Sequence, residues 1–348
     1  MPWYAYLLAP FALIFWVITS LRNFLYDQKI LKSHRSPIPT LIVGNLSVGG
    51  TGKTPMVEFL IRNLRREFEI VSLSRGYGRK TLGFIQAHQS SSAEEIGDEP
   101  LQIFQSFGGE IPVFVGEDRV EALQKICKIT PATKLAILDD AFQHRRLRGD
   151  FYCVLTPFSK PFTADFLLPM GRLRESARGA KRADLIVVTK CPESLSSSQK
   201  AAIRDQIRPF LPPGVPVVFS RIGYGKPYPV GISGEFSDSV ILVSGVADDQ
   251  PLISYCRDQF HLLEVLSFSD HHSYAKADLE RMVDLIKKHQ SRNPVLLTTE
   301  KDAVKLKSQA NREILGEIPI FVLPIEAQFE SEDKQMLLNY IREKFRKK

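Results

Sequence analysis

Cysteine is scarce in this chain. The four present, Cys127, Cys153, Cys191 and Cys256, stand far apart with no Cys-x-x-Cys pair. That spacing implies neither a disulfide framework nor a cysteine zinc site, and it fits a reducing cytoplasm. No segment recurs as an internal repeat, and the only low-complexity stretch, the serines at 90–92, reads as a loop. The stripe of interleaved basic and aromatic residues that marks a strand-binding surface is also missing, so nucleic acid is not an expected partner. The chain does not open as a secretory signal: residues 2–18 are uncharged, but no basic residue precedes them and no small-residue cleavage site follows.

What is present describes a folded, two-domain protein. With 348 residues, 44% hydrophobic and 24% charged, the chain can bury two cores, and disorder is excluded. A net charge of +7 favours acidic partners such as a nucleotide or a phospholipid surface. The uncharged run at 2–18 is rich in Trp, Tyr, Phe and Leu, with Arg22, Lys29, Lys32 and Arg35 downstream. It reads as a membrane-associated helix, with the rest of the chain on the cytoplasmic side. It lies near the lower limit of about 17 to 25 residues for a bilayer span, and Pro10 interrupts it. A tilted span and an interfacial helix therefore both fit.

Residues 42–57 carry the strongest local signal. An apolar strand, Leu41-Ile42-Val43, runs into Ser47-Val48-Gly49-Gly50-Thr51-Gly52-Lys53-Thr54, and apolar residues then recur at helical spacing at Met56, Val57, Leu60, Ile61 and Leu64. This is the pattern of a P-loop. Gly49, Gly50 and Gly52 let the backbone N–H groups turn inward on a polyphosphate, Lys53 reaches the β and γ phosphates, and Thr54 offers a hydroxyl to Mg²⁺. Ser47 replaces the usual first glycine. Pro55 is tolerated because the first helical turn does not use its N–H. ATP or GTP is the expected ligand.

Strands expected at 70–73, 112–115, 135–138, 151–155 and 185–188 alternate with helices at 93–107, 119–129 and 197–208, which predicts an α/β fold with a parallel sheet covered by helices. Glycine, proline and tyrosine then break the pattern, and alternation resumes from 240. The expected organisation is a membrane-associated helix at 1–26, a P-loop domain at 27–222, a hinge at 223–238 and a smaller α/β domain at 239–348.

The run Leu135-Ala-Ile-Leu-Asp139-Asp140 ends a strand in two acids, which places a carboxylate beside the Mg²⁺ of a P-loop. Further polar clusters fall at expected strand ends: 74–79 with Arg75, 97–100 with Asp98 and Glu99, 143–146, and 171–175 with Arg174 and Glu175. Together they suggest a site for a second anionic group. Asp98 is a candidate base for an attacking hydroxyl, and the histidines at 271 and 272, between a strand and a helix, are candidates to tune it.

These motifs, in this order, closely resemble the tetraacyldisaccharide 4'-kinases of lipid A biosynthesis. The resemblance covers nearly the whole chain: Gly-Asn-Leu-Ser-Val-Gly-Gly-Thr-Gly-Lys-Thr-Pro, Ser-Arg-Gly-Tyr-Gly, Gly-Asp-Glu-Pro, Val-Gly-Glu-Asp-Arg, Leu-Asp-Asp-Ala-Phe-Gln-His, Gly-Arg-Leu-Arg-Glu, Asp-His-His and Thr-Glu-Lys-Asp-Ala-Val-Lys. It implies ATP- and Mg²⁺-dependent phosphorylation of the 4'-hydroxyl of tetraacyldisaccharide 1-phosphate at the cytoplasmic face of the inner membrane, with no obligate protein partner. Asp98 would be the base and His271 its partner, and Lys53 and Thr54 would hold phosphate and metal. Asp139 and Asp140 would organise Mg²⁺, with Glu99 a further candidate ligand. Arg75, Arg119, Arg174 and Glu175 would face the lipid headgroup. Ala141, where glycine is frequent, and the second histidine His272 depart from the pattern. A membrane-associated P-loop switch ATPase or GTPase is the alternative, but it leaves the Arg, Asp and His clusters without a role.

Overall fold

The computed structural model describes residues 7–230, 235–270, 272–307 and 309–346. Apart from a two-stranded parallel pair, His34–Arg35 with Leu147–Arg148, its strands are β1 (Thr40–Asn45), β2 (Ile70–Ser74), β3 (Ile85–Gln86), β4 (Val113–Val115), β5 (Leu135–Asp139), β6 (Phe151–Pro157), β7 (Leu185–Cys191), β8 (Val217–Tyr224), β9 (Tyr228–Pro229), β10 (Ser239–Ser244), β11 (His261–Ser267), β12 (Val295–Thr298), β13 (Ile320–Val322) and β14 (Ile325–Phe329). Among the described residues the larger sheet runs β14-β8-β7-β6-β1-β5-β2-β4-β3 and the smaller β9-β13-β12-β10-β11. In the larger sheet the strands from β8 to β4 are mutually parallel, and only the edge strands β14 and β3 are antiparallel.

Burial explains this arrangement. Every residue of β1, β2, β4 and β5 is buried, as continuous apolar runs require when helices cover both faces of a parallel sheet. The helix Lys53–Leu64 lays Met56, Val57, Leu60, Ile61 and Leu64 on one face, and the helix Arg119–Ile129 lays Val120, Leu123 and Ile126 on the other. The smaller sheet is likewise packed on both faces, with Ile241 and Val243 in one core and Val240 and Leu242 in the other.

The end of the chain departs from the expected second unit at 239–348. After β13 the chain crosses back: β14 pairs antiparallel with β8, from Ser220↔Phe329 to Tyr224↔Ile325. The helix Ser331–Arg346 then buries Leu337, Leu338, Ile341 and Phe345 in the core of the larger sheet. Phe329 meets Phe59 of the P-loop helix at 4.7 Å between ring centroids. Apolar contacts distant in sequence decide this return. Tyr228–Pro229, inside the expected hinge, pairs with β13 of the smaller sheet, and 231–234 lie outside the described residues.

The N-terminal helix is Ala9–Asp27, with Pro10 in its first turn, so the proline starts the helix and does not interrupt it. It is long and apolar enough to cross a membrane, with a mean hydropathy of 1.3, and only Ala12 and Thr19 are buried. Its far end is tied to the larger domain: Asn23 Nδ2 donates to Glu175 Oε2 at 2.8 Å, and Asp27 pairs with Arg145 at 2.7 Å and Lys181 at 3.1 Å.

Candidate active site

A cleft of about 750 Å³ opens where β1, β2 and β5 end, roofed by the second domain through Val246, Ala247 and Lys301. This is the edge at which open α/β sheets take ligands. The loop from Ser47 to Thr54 forms its floor, with Val48, Gly50 and Thr51 along it. Gly49 and Gly52 adopt φ of 100° and 84°, a left-handed backbone that glycine enters without strain. The loop is held from outside: Thr189 Oγ1 donates to Thr51 O at 2.8 Å, and Val48 N donates to Arg172 O at 2.8 Å.

The acid pair stands beside this loop because Val43 of β1 is in register with Asp139 of β5. The two acids have different surroundings. Asp140, at φ 49°, receives both arms of Arg174, at 2.7 and 3.0 Å, and Lys53 Nζ lies 3.9 Å away. Burial alone would raise the Asp140 carboxyl, but Lys53 and Arg174 outweigh it and hold the group below its ordinary value. Asp139 is fully buried with no protein partner on Oδ1. Burial first, and then the charge of Glu99, push its carboxyl up to about 8. A buried carboxyl oxygen left unpaired in the wall of the P-loop cleft is suited to a divalent cation, whose charge would favour the ionised form. Among the described residues no three His, Cys, Asp or Glu side chains converge into a preformed cage.

A concentration of positive charge faces the same cleft. Arg119 is buried and donates to Gly116 O at 3.2 Å and to Glu117 O. Burial and then neighbouring Arg75 lower it to about 10. His144 is lowered to about 4 by burial and by Arg119, so it is neutral at pH 7.

Asp98 opens the helix Asp98–Ser106, directly after Gly97 at φ 95°. Its carboxylate meets Lys305 of the second domain at 3.0 Å, and Lys305 also donates to the main-chain O of His272 at 3.0 Å. The main chain of His272 and the Asp98 carboxylate thus share one ammonium. His271 lies outside the described residues. His272 turns its Nε2 to Asp278 at 2.9 Å and stacks on Phe268.

Glu175 differs from the expectation that it faces the headgroup. It has no exposure, and its oxygens accept from Arg182 at 2.6 Å, Gln143 at 3.1 Å and Asn23 at 2.8 Å. It does not line the cleft, because three donors hold its buried carboxylate inward. Three residues with no role assigned from sequence join the site. Asn45, whose carbonyl accepts from Arg174 at 3.0 Å, and Lys305 both lie in motifs already noted. Lys190, at φ 55° and lining the cleft, follows the end of an expected strand.

A glycine loop between strand and helix, a lysine-threonine pair behind it and an acid pair on the adjoining parallel strand define a P-loop nucleotide-dependent enzyme. A family model described as tetraacyldisaccharide-1-P 4'-kinase matches residues 4–343. The tetraacyldisaccharide 4'-kinase of Flavobacterium psychrophilum is 40% identical over 342 residues, covering 96% of both chains, and that of Cytophaga hutchinsonii is 38% identical, covering 97% of this chain and 95% of its own. The crystal structure of the "apo" form LpxK from Aquifex aeolicus in complex with ATP superposes with a TM-score of 0.75 at 28% identity, covering 98% of this chain and 99% of that one. The chain belongs to the tetraacyldisaccharide 4'-kinase family, ATP-binding kinases of lipid A biosynthesis.

Proposed function

We propose that this chain transfers the γ-phosphoryl group of ATP to the 4'-hydroxyl of tetraacyldisaccharide 1-phosphate at the cytoplasmic face of the inner membrane. One observation carries the reading: the P-loop, the acid pair and the Arg75–Arg119 cations open onto a single cleft. Phosphoryl transfer asks mainly for position and charge neutralisation, and this cleft supplies both.

The loop at 47–54 cradles the α and β phosphates, and Lys53 neutralises the β and γ oxygens. Thr54 and Asp139 would hold Mg²⁺, with Glu99 next to them and Asp140 acting behind through Lys53 and Arg174. The bound ion would screen the negative charge that builds on the phosphate oxygens. The acceptor's 4'-oxygen bonds to the γ-phosphorus as the β–γ bridging bond breaks, ADP keeps that electron pair, and Asp98 takes the hydroxyl proton. His271 is proposed as the partner of Asp98. Arg75 and Arg119 meet the acceptor's anionic headgroup, and the N-terminal helix keeps the enzyme on the bilayer where the acceptor resides.

Mass spectrometry of a detergent-solubilised reaction with ATP, Mg²⁺ and the disaccharide 1-phosphate tests this. The lipid gains one phosphate with the native chain and none, or far less, with Asp98→Ala. ATP hydrolysis with unmodified lipid would overturn the reading.

A further inference from the structure

Lys305 belongs to the helix Glu300–Leu306 of the second domain, yet its ammonium makes the ion pair with Asp98 of the first. The pair is shielded from water, with side-chain exposures of 10% for Lys305 and 14% for Asp98, so it is stronger than an exposed surface pair. The helix that carries it is itself fixed. Thr299 Oγ1 accepts from Asp302 N at 3.2 Å, Asp302 Oδ2 accepts from Gly245 N at 2.9 Å, and Asn311 Nδ2 donates to Lys305 O at 3.0 Å. The same helix grips the loop after β11 at two points. Lys301 meets Asp270 at 2.5 Å, and Lys305 meets the carbonyl of His272.

We propose that Lys305 is a positioning residue for phosphoryl transfer. One ammonium restrains the Asp98 carboxylate and the main chain of His272 together, so the base reaches its working geometry only when the second domain is seated on the first. This rests on the reading of Asp98 as the base. The physical reason is that a carboxylate turns about two torsions, and an error of about 1 Å in a reacting group costs on the order of 100-fold in rate. A lysine from the other domain removes that freedom on closure and restores it on opening, which makes closure a condition for chemistry.

The test compares Lys305→Met, Lys305→Gln and Lys305→Arg in the native and the Asp98→Ala backgrounds, with steady-state kinetics on ATP and the disaccharide 1-phosphate. ATP affinity by equilibrium binding confirms that each variant is folded. Lys305→Met and Lys305→Gln are expected to lower kcat about 10- to 100-fold while KM for ATP stays within about threefold, and Lys305→Arg is expected to recover much of the loss. In the Asp98→Ala background the same substitutions should cost nothing further, because the group they position is gone. A native kcat in the Met and Gln variants, a loss confined to KM for ATP, or full additivity with Asp98→Ala would each overturn the proposal. If Asp98→Ala keeps native kcat, the base assignment itself falls, and that result is separate from any effect of Lys305.

Discussion

Replacing Glu175 by alanine separates two readings of one residue. If Glu175 touched the headgroup, its loss would raise KM for lipid and leave the fold intact. In the structure it is a buried hub, so Glu175→Ala strands Arg182 with its charge inside the protein and frees Asn23, the anchor of the N-terminal helix. Breaking a buried ion pair from one side costs about 3–5 kcal/mol. Arg182 keeps a 2.9 Å bond to Phe142 O and lies 4.0 Å over the Phe142 ring, which places the expected cost near the lower end, about 3 kcal/mol. For a domain of this size each kcal/mol moves Tm by about 2–4 °C, so a fall of about 6–12 °C is expected by scanning calorimetry. Glu175→Gln, which keeps an acceptor for Asn23 and Arg182, should fall less. A melting temperature unchanged within about 2 °C, a shift too small for even 1 kcal/mol, together with a selective rise in KM for lipid would refute the argument.

Three further outcomes are expected. The Glu58 carboxyl, on the P-loop helix, is raised from 4.5 to about 8 by burial and then by Glu300 of the second domain. The folded state therefore keeps a proton that the unfolded chain releases between those values. Stability falls as pH rises through that window and levels off above it, and Glu58→Gln should flatten Tm plotted against pH from 5 to 8. Gly44→Ala would set a Cβ 2.6 Å from Phe142 Cβ, just behind the acid pair, and should lower stability by about 1–3 kcal/mol, read from denaturant midpoints. Ile14→Asp with Ile18→Asp puts charge on an exposed apolar face of the N-terminal helix, at about 2.5–3.5 kcal/mol each if the helix centre is in lipid. Vesicle flotation should be lost while ATP binding is kept.

The P-loop was legible because its signals are local: glycines where φ is positive, and lysine and threonine at the first turn of an amphipathic helix. The buried strands were legible as apolar runs. Residues 325–329 were not, because Ile-Glu-Ala-Gln-Phe is half-buried throughout and only its partner β8, about a hundred positions earlier, gives it a sheet. Glu175 sits in a segment that reads as polar surface, and nothing near it in sequence announces that Asn23, Gln143 and Arg182 converge on it. Lys305 was visible within a family motif, but its role depends on a contact between domains. Local chemistry is written in short words of sequence, whereas burial of charge and domain seating depend on residues far apart.

The return of β14 and the last helix to the larger sheet bears on how this protein is made. The P-loop helix rests against Phe329, and Phe151 of β6 rests against Phe345, so the nucleotide-binding domain is completed by residues synthesised after the smaller domain. On the ribosome the smaller domain has its whole sequence available first, and the larger domain waits half-built with an apolar face uncovered. A chain halted just after β13 would release a nascent enzyme whose ATP-binding half had never closed.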